Sequence, residues 1–108
     1  EVGYTNEYGK VLGGIDGLNS YPSALCVVFA IGSPHGVANL MDRISNQNID
    51  FPNIIAPNVL FFDQESVEMG QGNVITYGGR VSCGVKFGDF NLLNGCVSFL
   101  GIVILVVM

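Results

Sequence analysis

The stretch Met69-Gly-Gln-Gly-Asn-Val-Ile75-Thr-Tyr-Gly-Gly-Arg-Val81-Ser-Cys-Gly-Val-Lys-Phe87-Gly-Asp-Phe-Asn-Leu-Leu93 has a period of six. Every sixth residue from Met69 is large and apolar: Met69, Ile75, Val81, Phe87, Leu93, Phe99 and Leu105. With half of all residues apolar, chance fills such a column about once in a hundred trials. The column two residues earlier, Val67, Asn73, Gly79, Val85, Asn91, Val97 and Val103, holds only small, β-branched or amide side chains. Six is the repeat of a parallel β-helix with three flat sides, one hexapeptide to a side. Large apolar residues then point inward and stack, and small residues sit where the chain turns a corner. Asn73 and Asn91, three hexads apart, are expected to stack as an amide ladder. An antiparallel sandwich is the alternative, but it predicts alternation with period two and turn signals every ~8–12 residues.

Upstream the pattern changes near Phe51–Pro57. Ala24–Ile31 is a continuous apolar run of strand length, as in a strand covered on both faces. Gly32-Ser33-Pro34 follows; Ser33 suits a helix N-cap and Pro34 the first helical position. Val37, Leu40, Met41 and Ile44 then fall on one face of a helix ending near Ser45–Asn46. Phe51–Ile55 is expected to return as a strand. Glu1–Tyr4 reads as a short strand, and Leu12–Leu18 as a glycine-rich turn. The first half is therefore α/β in pattern, which divides the chain into a lobe over residues 1–54 and a β-helix over 55–108.

Composition narrows the partners. The 108 residues are 49% hydrophobic and 12% charged, which excludes disorder. Four basic against nine acidic residues give a net charge of −5, which argues against nucleic acid and anionic membrane surfaces. Cys26, Cys83 and Cys96 are an odd, widely spaced set and read as buried free thiols in a reducing compartment. With His35 the lone histidine, no zinc-ligand cluster is written in the sequence. The sequence opens on Glu1 without a signal peptide, as a processed or partial chain does. Cys96–Met108 is strongly apolar yet shorter than the ~20 residues of a membrane span.

Three segments resemble a known family. They are Phe51-Pro-Asn-Ile-Ile-Ala-Pro-Asn-Val59, Met69-Gly70-Gln-Gly-Asn-Val-Ile75 and Phe87-Gly-Asp-Phe-Asn-Leu-Leu-Asn94. They are similar to the hexapeptide-repeat sugar acetyltransferases of the sialic-acid and bacillosamine type. Val11-Leu-Gly-Gly-Ile-Asp16 and Ala30-Ile-Gly-Ser-Pro34 resemble the family's first domain, in the same order. The resemblance implies a partial Rossmann-like, nucleotide-sugar-binding lobe followed by the first coils of a left-handed parallel β-helix. It implies transfer of an acetyl group from acetyl-CoA to an amino or hydroxyl group of a nucleotide-linked sugar. A homotrimer in the cytoplasm, working in surface-glycan synthesis, is part of the same expectation. The other reading is a non-catalytic β-helical assembly module.

The family's general base is a histidine in a Gly-His-Asp that would follow Phe99. This sequence has Leu100-Gly-Ile there and no histidine after position 35, so no catalytic residue is assigned. The complete protein is expected to carry more coils, which hold CoA in the family. Ala30, Ile31 and Gly32 match the strand-end loop that touches the nucleotide-sugar, and loops of that kind bind ligands in open α/β sheets. Asn6 falls where the family has a ribose-facing Asp. His35 reads as a surface or capping residue at a helix start, and Cys83 and Cys96 as small hydrophobes in repeat positions. Gly70-Gln-Gly72 reads as a β-helix corner. Asp63, Glu65 and Glu68 read as a solvated acidic face.

Overall fold

The computed structural model describes residues 2–95 and the strands Ser98–Phe99 and Ile104–Leu105. The lobe opens with a hairpin, β1 (Thr5–Asn6) against β2 (Gly9–Lys10), and a short helix, α1 (Ile15–Asn19). A parallel pair follows, β3 (Leu25–Cys26) with β4 (Ile49–Asp50), joined through α2 (Pro34–Arg43). Ser33 caps α2 as its sequence implies, its Oγ accepting from the Gly36 N–H at 3.3 Å, with Pro34 in the first turn. Val37, Leu40, Met41 and Ile44 are all half-buried.

Four lobe expectations need correction. The first strand is Thr5–Asn6 and not Glu1–Tyr4, where residues 2–3 form a turn, and the expected turn Leu12–Leu18 becomes helical from Ile15. Of the apolar run Ala24–Ile31 only Leu25–Cys26 pairs as a strand, because its partner β4 is just two residues long. The return strand is Ile49–Asp50 and not Phe51–Ile55. Within the latter stretch Ile54–Ile55 pairs with the repeats instead.

From Ile54 the chain is a run of two-residue strands: β5 (Ile54–Ile55), β6 (Leu60–Phe61), β7 (Glu68–Met69), β8 (Val74–Ile75), β9 (Arg80–Val81), β10 (Lys86–Phe87), β11 (Leu92–Leu93), β12 (Ser98–Phe99) and β13 (Ile104–Leu105). Each of β5 to β10 pairs in parallel with the strand three further on. The result is three separate three-stranded sheets, β5-β8-β11, β6-β9-β12 and β7-β10-β13. Glu68 opposes Lys86 and Val74 opposes Leu92, an offset of 18 residues (86 − 68 and 92 − 74). The first circuit is longer: Ile54 opposes Val74 and Leu60 opposes Arg80, an offset of 20. The two extra residues lie between β6 and β7, where a 3₁₀ turn spans Gln64–Ser66.

From β5 to β11 the second residue of each strand faces a shared interior. Ile75, Val81, Val85, Phe87 and Leu93 form the buried core, with Ile55, Val59, Phe61, Val67 and Met69 packed against it. At the corners Gly72, Gly78 and Gly84 have φ of 69°, 76° and 70°, the left-handed region where a Cβ is penalised. The next corner is held by Phe90, whose φ is 56°.

The small-residue column turns inward as well. Asn73 and Asn91 are the buried polar side chains among the described residues. Asn91 donates its backbone N–H and its Nδ2 to Asn73 Oδ1, both at 2.9 Å. Asn73 does the same to Asn53 Oδ1, at 2.9 and 3.0 Å. The ladder has three rungs, and Asn53 is the one the period of six does not reach.

Candidate functional site

β3 and the sheet β5-β8-β11 are bridged by three rings. Phe29 follows β3, Phe51 follows β4, and Phe90 stands at the repeat corner. Their centroids lie 5.4 Å (Phe29–Phe51), 5.6 Å (Phe29–Phe90) and 5.2 Å (Phe51–Phe90) apart. Such tilted and edge-on arrangements are favoured for aromatic pairs. Gly72 allows the Phe90 ring to lie against the corner of the preceding circuit: a Cβ at position 72 would run into that ring.

Beside this cluster a cleft of about 350 Å³ separates the lobe from the repeats. One wall is the segment Val28–Gly32 with Val37 of α2; the other is Val74 and Leu92. None of its eleven lining residues is charged. Val28, Ile31 and Leu92 keep much of their surface in solvent.

The Val27 N–H donates to Asp50 O at 2.9 Å, which is the last bond of the β3–β4 ladder. From Val28 to Gly32 no backbone N–H or C=O has a hydrogen-bond partner among the described residues. Four of these five residues are exposed, so water reaches their backbone groups.

Of the residues that the sequence marked, the structure brings Ala30, Ile31 and Gly32 together at this cleft. Asn6 lies elsewhere, in the β1–β2 turn. Its Oδ1 accepts from the N–H groups of Tyr8 (2.9 Å) and Gly9 (3.2 Å), an Asx turn that closes the hairpin. His35 is the second residue of α2 and is exposed. Cys26 and Cys83 are exposed free thiols, correcting the expectation of buried ones. Cys83 sits two residues past Val81, at a corner that faces solvent; Cys96 lies outside the described residues. Among the described residues no group of three His, Cys, Asp or Glu is placed to hold a metal, and no helix is long and apolar enough to cross a membrane.

Val74, Phe90 and Leu92 are cleft residues that sequence reading did not single out, and Val37 was marked there only for the apolar face of its helix. Phe90 carried a usable signal, because it interrupts the column Gly72, Gly78, Gly84 with the bulkiest of side chains. A second apolar hollow, about 510 Å³, runs along α1 between Leu12, Gly14, Gly17 and Tyr21 and lacks polar side chains that converge. Compared with protein-family models, curated proteins and solved structures, the chain matches none.

Proposed function

We propose that this chain carries the acceptor-facing lobe and the first turns of a left-handed parallel β-helix acyltransferase. The reaction class is transfer of an acetyl group from acetyl-CoA to an amino or hydroxyl group of a nucleotide-linked sugar. The observation that carries the reading is the arrangement of three sheets with an 18-residue register and an internal amide ladder. It is the arrangement expected of hexapeptide repeats. The left hand rests on the family resemblance, since crossovers in ordinary sheets are right-handed. The position of the cleft is further support, because Ala30–Gly32 follow the carboxyl end of β3, where open α/β sheets bind ligands.

Acyl transfer needs a base to take the proton from the attacking amine or hydroxyl. No titratable side chain lines the cleft, and His35 is not among its residues. The role assigned to Ala30, Ile31 and Gly32 is therefore to bind and orient the acceptor. With no cation on the walls, the diphosphate stays in solvent and the sugar enters. Trimeric assembly and a cytoplasmic location belong to the same proposal. The absence of a base at the cleft also favours the second reading, a β-helical module without catalysis.

Backbone NMR of the chain with a UDP-amino sugar tests the first reading. Shifts at Ala30–Gly32 are expected, with CoA release from acetyl-CoA at background. No shift at these amides would leave the assembly module as the better account. Light scattering tests the trimer, and a monodisperse monomer overturns it.

A further inference from the structure

We propose that Asn94 is a site of spontaneous covalent modification, in which its side-chain amide closes onto the Gly95 nitrogen as a succinimide that water opens to aspartate or isoaspartate, at a pace set by the Thr76 hydroxyl. The inference is independent of the acyltransferase reading.

The reaction makes three demands. The side-chain amide must be free to turn onto its own main chain, the next residue must leave its nitrogen unshielded, and water must reach both. The ten asparagines of the chain differ most on the first. Asn53, Asn73 and Asn91 are tied into the ladder. Asn6 and Asn58 accept from the backbone N–H groups of Tyr8 and Gly78. Asn19 and Asn46 hold the lobe together through their amides. Only the side chains of Asn39, Asn48 and Asn94 make no hydrogen bond among the described residues. Asn39 is followed by Leu40 inside α2, and Asn48 by the β-branched Ile49 of β4. Asn94 is followed by glycine, which has no Cβ to shield its nitrogen. Asn94 and Gly95 are both exposed, and a Cβ built at position 95 would meet nothing within 4 Å. All three demands meet at this pair alone among the described residues.

The step balances with water and hydroxide as the co-reactants. The Gly95 nitrogen gives its proton to hydroxide and bonds to Asn94 Cγ. The Cγ–Nδ2 bond breaks, and Nδ2 leaves as ammonia with a proton from solvent. Water then adds to one ring carbonyl. Breaking the N–Cγ bond gives aspartate, and breaking the bond to the main-chain carbonyl gives isoaspartate. In the second product the main chain runs through the former side chain, so the path from β11 to β12 grows by one atom.

Thr76 stands on the first proton. The Gly95 N–H donates to Thr76 Oγ1 at 2.6 Å, and that hydroxyl donates in turn to Leu93 O at 3.0 Å. With its own proton committed to Leu93, the hydroxyl oxygen is left to accept from Gly95. A hydrogen bond to the neutral form of a group opposes loss of its proton. The bond across the two circuits therefore slows the ring closure that the exposed Asn-Gly pair invites.

The test is incubation of the full chain at mildly alkaline pH, with each asparagine followed by peptide mass spectrometry that separates aspartate from isoaspartate. Asn94 is expected to convert before any other asparagine, to give both products, and to convert faster as pH rises. Thr76→Val keeps the side chain's shape and removes the acceptor. It is expected to speed conversion ~2–10-fold, the factor that one net hydrogen bond supplies. Thr76→Ser is expected to convert at the wild-type rate. Hydrogen exchange at Val81 and Val85 checks that the repeats stay folded, and Thr76→Ala decides in place of valine where valine loosens them. Four results overturn the proposal: an unmodified Asn94, another asparagine converting first, aspartate without isoaspartate, or a wild-type rate in the variants that lack the hydroxyl.

Discussion

The repeats and the lobe differ most in what they bury. Every buried residue among those described lies between Asn73 and Leu93, and residues 2–72 contain none. The reason is architectural. In the repeats each strand is only two residues long, yet each inward side chain meets the equivalent residues of the circuits above and below. Stacking multiplies contacts without lengthening any element. The lobe has strands of the same length and no third layer to stack on. Its ties to the rest are a few long-range contacts, chiefly the Phe29–Phe51–Phe90 cluster. Within itself it is pinned by Asn19, whose side chain bonds Arg43 O and the Ser45 N–H, and by Asn46, which reaches Leu18 O. The repeats supply their own core, and the lobe borrows one face of it.

The strongest way to break this contrast is at the centre of the amide ladder. Asn73→Ala removes the Nδ2 donor to Asn53 Oδ1 and Gly88 O, at 3.0 and 2.8 Å. It also removes the acceptor for both Asn91 donors. Stranding buried polar groups costs about 1–3 kcal/mol each, and the expected loss is ~3–5 kcal/mol in urea unfolding. A loss under ~1 kcal/mol would mean that water or a shifted backbone replaces the ladder. Next in size, Ile75→Ala should cost ~2–5 kcal/mol by opening a cavity in the core. Val37→Ala, on the half-buried face of α2, should cost under ~1.5 kcal/mol. Equal costs at the two positions would abolish the distinction between the regions.

Much of the repeat region was legible because stacking imposes a strict period. Met69, Ile75, Val81, Phe87 and Leu93 lie on β-strands in one spatial series, and the Asn73–Asn91 pair bonds as expected. The same reasoning stopped at Met69. Continuing backward by six gives Asp63 and Pro57, while the inward residues are Phe61 and Ile55. The two residues inserted at the Gln64–Ser66 turn shift the phase, and a fixed period cannot see across them. Asn53 was missed for the same reason. In the lobe, α2 was legible from its cap and apolar face, since both are local signals. The extent of β3 was not, because strand length depends on a partner that the local sequence does not name. For the cleft, Ala30–Gly32 could be marked from position in the chain, but the opposing Val74 and Leu92 come from circuits some 40 to 60 residues away (74 − 32 and 92 − 32). Cys26 and Cys83 show the limit of composition: a free thiol was expected inside and stands outside.

The corner at Phe90 sharpens the comparison at the place where the two regions meet. A left-handed φ costs a non-glycine residue about 1–2 kcal/mol, so Phe90 is held there by what its ring touches. Phe90→Gly loses the two ring pairs, worth about 0.5–1.5 kcal/mol each beyond their area, and regains the backbone strain. Phe90→Ala loses the rings and keeps the strain. Alanine is therefore expected to be less stable than glycine by ~1 kcal/mol, the reverse of their order in a helix. Hydrogen exchange should show faster opening at Val27 and the α2 amides in both variants, with Val81 and Val85 still protected. Alanine matching or exceeding glycine would mean that this corner is unstrained.

The smallest effect is expected from a pair that shares the ladder's spacing but not its burial. Lys86 Nζ and Glu68 Oε2 lie 3.1 Å apart on strands in the same 18-residue register as Asn73 and Asn91. Their side chains are 55% and 66% exposed. Water competes for both charges, and ordering two long side chains offsets most of the attraction, so exposed pairs contribute ~0–1 kcal/mol. Glu68→Ala is expected to cost less than ~0.5 kcal/mol, and 0.5 M salt should erase even that. Both pairs join equivalent positions one circuit apart. A several-fold gap between Asn73→Ala and Glu68→Ala would show that the buried, multiply hydrogen-bonded ladder, and not the exposed ion pair, holds the circuits together. A Glu68→Ala loss above ~1.5 kcal/mol, insensitive to salt, would show that the outer faces of the sheets also hold the circuits in register, and that the interior is not the sole source of the repeats' stability.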